Sequence, residues 1–287
     1  MPALPNVPNG NLSPAPPAAQ SPQRRGMRQH LTRVRGADLA VFERDPAAAG
    51  AAPLLLWAHG WGQAHGDLLP LAETVRRRGH SLFFDLPGFG ASPPPPDVWG
   101  TEDYADALAE FLAGHSVSPR IWIGHSFGCR VGLRLAARHP GLIDGLFLIA
   151  APGLPRQSSL ARRVRRAARR WAFRLARRLA PNGAARDRLR ERFGSADYRA
   201  AGPRLRPILV KAVNEDLSAV ARAVSCPVML VYGDHDGETP PDIGVRFNRL
   251  MPQSRLVVLR GFDHLDIVTE GRHQLAQLFG EFLAPFA

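Results

Sequence analysis

Alternation of apolar and polar residues first becomes regular in two short runs, His30 to Val34 and Asp38 to Arg44, with Arg35-Gly36 between them. Period-two patterning broken by a Gly-containing pair predicts a β-hairpin. A third run, Pro53 to Ala58, is continuously apolar and reads as a strand buried on both faces. Helical and strand patterns then alternate: helix over Leu68 to Arg78, strand over Ser81 to Asp85, helix over Glu102 to Ala113, strand over Arg120 to Gly124, helix over Arg130 to Arg138, strand over Gly145 to Ala150. About seventy residues then break the rhythm. It resumes with strand Pro227 to Tyr232, helix Pro241 to Leu250, strand Arg255 to Leu259 and one closing helix over Ile267 to Leu283. Buried strands separated by helices predict βαβ units and a mostly parallel sheet flanked by helices, with a helical insertion.

Composition narrows the class. The 287 residues are 45% hydrophobic and 22% charged, which suffices for a sizeable core, and no apolar run approaches the length of a membrane span. Residues 1–26 are rich in Pro and Ala with little that packs, and read as a disordered leader without the basic cluster and apolar stretch of a secretory signal. Met27 is an alternative start. Cys129 and Cys226 are too far apart in sequence for a metal-ligand pair and too few for a disulfide framework, so a cytoplasmic location is expected.

The formal net charge is +12, but residues 156–206 hold 17 arginines against Asp187, Glu191 and Asp197, leaving the remainder near neutral. Confinement of the charge to one segment argues against nucleic acid as the partner. Within that segment Leu160, Val164, Ala167, Trp171, Leu175 and Leu179 form one helical stripe. Arg162, Arg165, Arg166, Arg169, Arg170 and Arg177 lie opposite, and Phe173 projects among them. Three readings stay open for this helix: a solvated face, a peripheral contact with anionic membrane, or recognition of an acidic substrate or partner.

Candidate chemistry centres on Gly124-His125-Ser126-Phe127-Gly128, which follows the apolar Ile121-Trp122-Ile123 and precedes a helix-forming segment. A strand-to-helix elbow exposes its central serine, and glycines two positions either side relieve the crowding. Ser126 is therefore the expected nucleophile. With His59-Gly60-Trp61-Gly62 after the third strand and Asp85-Leu86-Pro87-Gly88-Phe89-Gly90-Ala91-Ser92 after the fourth, the chain resembles the α/β-hydrolase superfamily, in its capped serine-esterase-like branch, from about residue 30 to 285. Cys129 departs mildly, since a second glycine often follows the elbow there.

The resemblance implies the chain order nucleophile, acid, histidine. Of the three histidines after Ser126, His235 lies inside the acid loop and His273 inside the closing helix, which leaves His264 in Gly261-Phe262-Asp263-His264 as the base. The loop Gly233-Asp234-His235-Asp236-Gly237 offers two acids; Asp236 matches the family's spacing and Asp234 is the alternative. The backbone N–H groups of Trp61 and Phe127 are the implied oxyanion hole. The resemblance also divides the chain into a core of residues 27–152 and 223–287 and an Arg-rich helical cap of residues 153–222. Neither metal nor cofactor is called for. The implied activity is hydrolysis of a small to medium acyl ester or related bond through an acyl-enzyme. Cleavage of a C–C bond or a lactone, or peracid formation, by the same residues is the near alternative, and a non-catalytic binding or membrane-adaptor module is the distant one.

Overall fold

The computed structural model describes residues 27–44, 52–115, 117–155 and 196–286. The leader, the arginine stripe and its apolar counterpart, and Phe193 to Ser195 lie outside the described residues.

In chain order the described elements are β1 (Arg28–Val34), β2 (Ala37–Arg44), β3 (Leu54–Ala58), α1 (His65–Thr74), β4 (His80–Asp85), α2 (Thr101–Ala113), β5 (Arg120–His125), α3 (Phe127–Arg138) and β6 (Gly145–Ile149). After the gap come α4 (Ala196–Ala200), α5 (Leu205–Asn214), α6 (Ser218–Ala223), β7 (Val228–Gly233), α7 (Pro241–Leu250), β8 (Ser254–Leu259), α8 (Asp266–Thr269) and α9 (Arg272–Leu283). The eight strands form one sheet in the order β1-β2-β4-β3-β5-β6-β7-β8. β1 and β2 pair antiparallel with each other, β2 pairs antiparallel with β4, and every later pairing is parallel. The hairpin turn carries positive φ at both Arg35 and Gly36, the geometry that suits the right-handed twist of its strands.

Because successive strand residues point to opposite faces, each parallel strand feeds two cores. Leu54, Leu56 and Ala58, with Trp122, Leu146 and Leu148, pack beneath α2, α3, α6 and α7. Leu55 and Trp57, with Ile121, Ile123, Phe147 and Ile149, pack beneath α1 and α9.

Several boundaries differ from the sequence reading: α1 runs over His65–Thr74 rather than Leu68 to Arg78, and α3 opens at Phe127 rather than Arg130. β1 begins at Arg28 rather than His30, because Arg28 pairs with Glu43 across the hairpin although its exposed, polar neighbourhood carries no alternation. The closing helix is two helices. Gly271 N–H reaches back to the carbonyl of Asp266 (3.1 Å) instead of that of Ile267, which lies 2.5 Å from where a Cβ at 271 would stand. A glycine is accommodated there and the ladder resets.

A carboxylate joins α5 to the helices that pack on the sheet. Glu215, at the end of α5, accepts the Thr101 N–H at the start of α2 (3.0 Å) and the Thr101 hydroxyl. Arg134 of α3 donates to the same hydroxyl at 3.2 Å. Glu215 also faces Arg130, which is only 8% exposed and whose guanidinium is pushed down to about 10 by burial, against the raising charge of Glu215. Replacing Glu215 by Ala leaves a helix N-terminus and a buried cation uncompensated. The expected loss is about 1–3 kcal/mol of unfolding free energy, read from the urea midpoint; an unchanged midpoint would contradict the clasp.

Candidate active site

The parallel strands all end at one edge of the sheet, and the loops leaving β3, β4, β5, β7 and β8 converge there, where open α/β sheets present their ligand crevices. β5 passes into α3 through a single residue, Ser126, held at φ 46, ψ −104. This is costly backbone for a residue with a Cβ, and the packing around it keeps it in place. A Cβ on Gly128 would stand 2.2 Å from the carbonyl oxygen of Ala58, and one on Gly124 would stand 2.8 Å from the backbone of Gly128 and Cys129. Helix and strand therefore touch backbone to backbone. Gly128 N–H donates to the His59 carbonyl (3.0 Å) and Ser126 N–H to that of Ile149 (3.0 Å), fixing the elbow between the neighbouring strand ends.

The structure brings Ser126, His264 and Asp236 into one row. Ser126 Oγ lies 2.9 Å from His264 Nε2, and His264 Nδ1 lies 2.7 Å from Asp236 Oδ2. Asp234 does not join them. Its Oδ1 accepts the Gly261 N–H at 2.7 Å and so braces the start of the histidine loop. His235 is exposed, and His273 sits on α9 with its side chain outward.

Asp236 is 3% exposed and held by several donors. Its Oδ1 accepts the N–H groups of Glu238 (2.8 Å) and Thr239 (2.7 Å), while Oδ2 accepts the Thr239 hydroxyl (2.7 Å). Burial alone would raise the carboxyl pKa; hydrogen bonds from His264 and Thr239 outweigh it and hold the group below the ordinary aspartate range. For His264 the balance has the same form with opposite sign. Burial favours the neutral ring, but the hydrogen bond and charge of Asp236, aided by Glu238 and Asp197, raise its pKa above the ordinary histidine value.

Two other histidines near the edge stay neutral. Burial, then the nearby His264, pushes His125 down to about 4. Its Nε2 lies 2.9 Å from the His264 carbonyl oxygen, and its Nδ1 lies 2.9 Å from Gln63 Oε1, which also accepts the Gly60 N–H (2.8 Å). His59, wholly buried and likewise lowered by desolvation, donates from Nδ1 to the Gly60 carbonyl (2.7 Å) and accepts the Leu86 N–H at Nε2 (3.1 Å). The first residue of the Gly60-Trp61 loop approaches His125 so closely that a Cβ on Gly60 would stand 2.9 Å from its Nδ1.

Trp61 follows β3 and Phe127 opens α3; the first N–H groups of a helix have no acceptor within it. Their rings meet edge to face with centroids 5.4 Å apart, and Phe89 packs on both. Phe89 comes from the Asp85 to Ser92 segment, which is scaffold. Asp85 accepts the backbone and ring N–H of His65 and the Ala91 N–H, and a Cβ on Gly90 would stand 2.1 Å from its carboxylate. Cys129 is buried against the sheet, its thiol donating to the Gly124 carbonyl at 3.1 Å, so the position that departs from the family pattern holds a small core side chain. Among the described residues no three His, Cys, Asp or Glu side chains cluster as a metal ion requires.

Sequence reasoning passed over Thr239 and Gln63. Thr239 brings the acid loop against the end of β6: its hydroxyl oxygen, whose proton goes to Asp236, lies 3.2 Å from the carbonyl oxygen of Ala150, itself held at φ 54. A hydroxyl residue three positions after an aspartate is the available signal, since such pairs close local turns. Gln63 carries none.

A family model described as alpha/beta hydrolase fold matches residues 53–188. A pimeloyl-acyl-carrier-protein methyl ester esterase of Chromobacterium violaceum is 31% identical over 223 residues, covering 72% of this chain and 85% of that protein. A 2-(acetamidomethylene)succinate hydrolase of Mesorhizobium japonicum is 26% identical over 245 residues, covering 80% and 88% respectively. Among solved structures, an enol-lactonase of Burkholderia xenovorans superposes with a TM-score of 0.66 at 20% identity, covering 88% of this chain and 99% of that one.

The close approach at Gly128 makes a sharp expectation. In Gly128→Ala the new methyl group meets backbone rather than a movable side chain, so α3 must lift from β3. The variant should lose about 1–3 kcal/mol in urea unfolding and react more slowly with a fluorophosphonate at Ser126. Wild-type behaviour in both assays would mean that the elbow tolerates displacement.

Proposed function

The chain belongs to the α/β-hydrolase family, and from that premise and the row of contacts Ser126–His264–Asp236 we propose that it hydrolyses a small to medium carboxylic ester through an acyl-enzyme. The observation carrying the proposal is the single imidazole within hydrogen-bond distance of both a strained, accessible serine and a buried, ionised aspartate.

Serine is a poor nucleophile until a neutral imidazole accepts its proton. In the proposed mechanism Ser126 Oγ attacks the carbonyl carbon as its proton passes to His264 Nε2. Asp236 keeps the proton of His264 on Nδ1 and stabilises the imidazolium. The backbone N–H groups of Trp61 and Phe127 receive the developing oxyanion, helped by the positive end of the α3 dipole. On collapse His264 returns the proton to the departing alcohol, and a water then repeats the sequence on the acyl-enzyme. The similarity to a methyl ester esterase favours a carboxylic ester with a small alcohol.

The proposal extends to the chain's organisation. Residues 153–222 form a cap over the core of residues 27–152 and 223–287, a division supported by the approach of Leu205 of α5 to Gly88 and by the charge of Asp197 of α4 acting on His264. A peripheral contact of the Arg-rich stretch with anionic membrane and a cytoplasmic location complete the reading. Of the described residues, no helix is long and apolar enough to cross a membrane.

Fluorophosphonate labelling followed by peptide mass spectrometry tests the core of the proposal. The adduct should fall on Ser126, and Ser126→Ala should abolish labelling and lower ester turnover by roughly 10⁴-fold while the protein still folds. Retained turnover in that variant would exclude the mechanism. The pH dependence has a determined sign. His264 must be neutral to accept the proton and its pKa is raised, so kcat/KM should climb with pH through a midpoint above 6.5, the ordinary histidine value. A midpoint below that value would mean that Asp236 does not hold the ring in solution.

A further inference from the structure

Glu238 lies two residues after Asp236, where the acid loop turns back over the sheet edge. Its Oε2 stands 3.7 Å from His264 Nε2, on the opposite side of the ring from Asp236. Nε2 is also the nitrogen within 2.9 Å of Ser126 Oγ. The Glu238 side chain is 67% exposed.

We propose that Glu238 is a leaving-group-side partner of His264, whose carboxylate favours the imidazolium formed during acylation and disfavours esters whose alcohol portion is negatively charged. This rests on the hydrolytic reading above. A general acid must come within hydrogen-bond reach of the atom it protonates, so the leaving oxygen has to depart from beside Nε2. Whatever is attached to that oxygen then lies next to the Glu238 carboxylate, where like charge is repelled and positive charge attracted.

The other charged or titratable groups facing His264 act from elsewhere. Asp236 holds Nδ1; His125, with ring centroid 5.1 Å away, is kept neutral by burial. Asp197 of α4 contributes through charge alone. Asp263, adjacent in sequence, has its Oδ1 engaged by the N–H groups of Leu265 and Asp266. The charge of Glu238 is among the influences that raise the His264 pKa, in keeping with its position.

The test uses the full chain as wild type, Glu238→Gln and Glu238→Lys. The His264 ring is titrated by NMR, its signal assigned by loss in His264→Gln. Neutralising the carboxylate should lower the midpoint by about half to one pH unit, and reversing the charge should lower it further. In parallel, kcat/KM is compared for the choline and 3,3-dimethylbutyl esters of one acid, a pair alike in shape but not in charge. The choline-to-neutral ratio should fall about three- to tenfold in Glu238→Gln and again in Glu238→Lys. An unchanged midpoint, or an unchanged ratio in enzymes that turn over, would overturn the proposal. A shifted midpoint with no turnover of either ester and no fluorophosphonate adduct at Ser126 in the wild type would instead strike the hydrolytic reading and leave the Glu238 contact standing.

Discussion

Helix α3 is pressed against the ends of β3 and β5 until backbone meets backbone, and the geometry of the site descends from that contact. With no side chain at Gly124 or Gly128, the carbonyl of Ala58 sits where a Cβ at 128 would otherwise stand. The turn between strand and helix shrinks to Ser126 alone, in a conformation that places its hydroxyl above the sheet. The same contact brings the His59 carbonyl to the Gly128 N–H, so the loop carrying Trp61 is tied to the helix that presents Phe127. The proposed nucleophile and the proposed oxyanion donors thus share one rigid junction. The strain at Ser126, on the order of 1–3 kcal/mol, is offset by packing of Trp122, Cys129 and Val131 that would be lost if the turn relaxed.

The second half of the site is held by polar rather than apolar contacts. Asp236 and Thr239 form a closed local turn whose hydroxyl oxygen lies beside the carbonyl of Ala150, another residue at positive φ. β6 contributes no side chain to the row, yet its end adjoins both sides of it: the Ile149 carbonyl receives the Ser126 N–H, and the Ala150 carbonyl, one residue beyond the strand, lies 3.2 Å from Thr239 Oγ1. Placement of Asp236 and Ser126 on opposite sides of one strand end is what allows a single imidazole to bridge them.

These two modes of assembly explain what the amino-acid order reveals and what it hides. Parallel strands buried on both faces read as unbroken apolar runs, so β3 to β7 and the helices between them are visible as patterns. The elbow is visible because its steric demand is local and leaves glycines at fixed spacing. The preference for Asp236 over Asp234 comes only from the family's spacing, because both belong to the same short loop; in the fold the two part because Asp236 recruits Thr239 and Asp234 the Gly261 backbone. Gln63 is hidden for a related reason: it acts on His125, 62 positions away, through geometry that only the folded sheet edge creates. The break at Gly271 escapes notice because Ile267 and Val268 before it and Leu275 and Phe279 after it all face the same core, so the apolar pattern runs through.

Three histidines lie along this edge, and their differing charge states show how burial and partners divide the work. His59 and His125 are nearly or wholly removed from solvent and have no carboxylate on either ring nitrogen, so desolvation prevails. His264 is almost as buried, at 7% exposed, but carries a carboxylate on Nδ1, and that reverses the outcome. A row of three readily protonated rings would repel any second charge and weaken the proton affinity of each. Keeping two neutral confines the proton chemistry to the ring beside Ser126, while the neutral pair holds the surrounding backbone: His125 beside the carbonyl of His264 itself, and His59 between Gly60 and Leu86. In the proposed mechanism the edge therefore separates positioning from proton transfer using one residue type, and the separation follows from which ring has a carboxylate beside it.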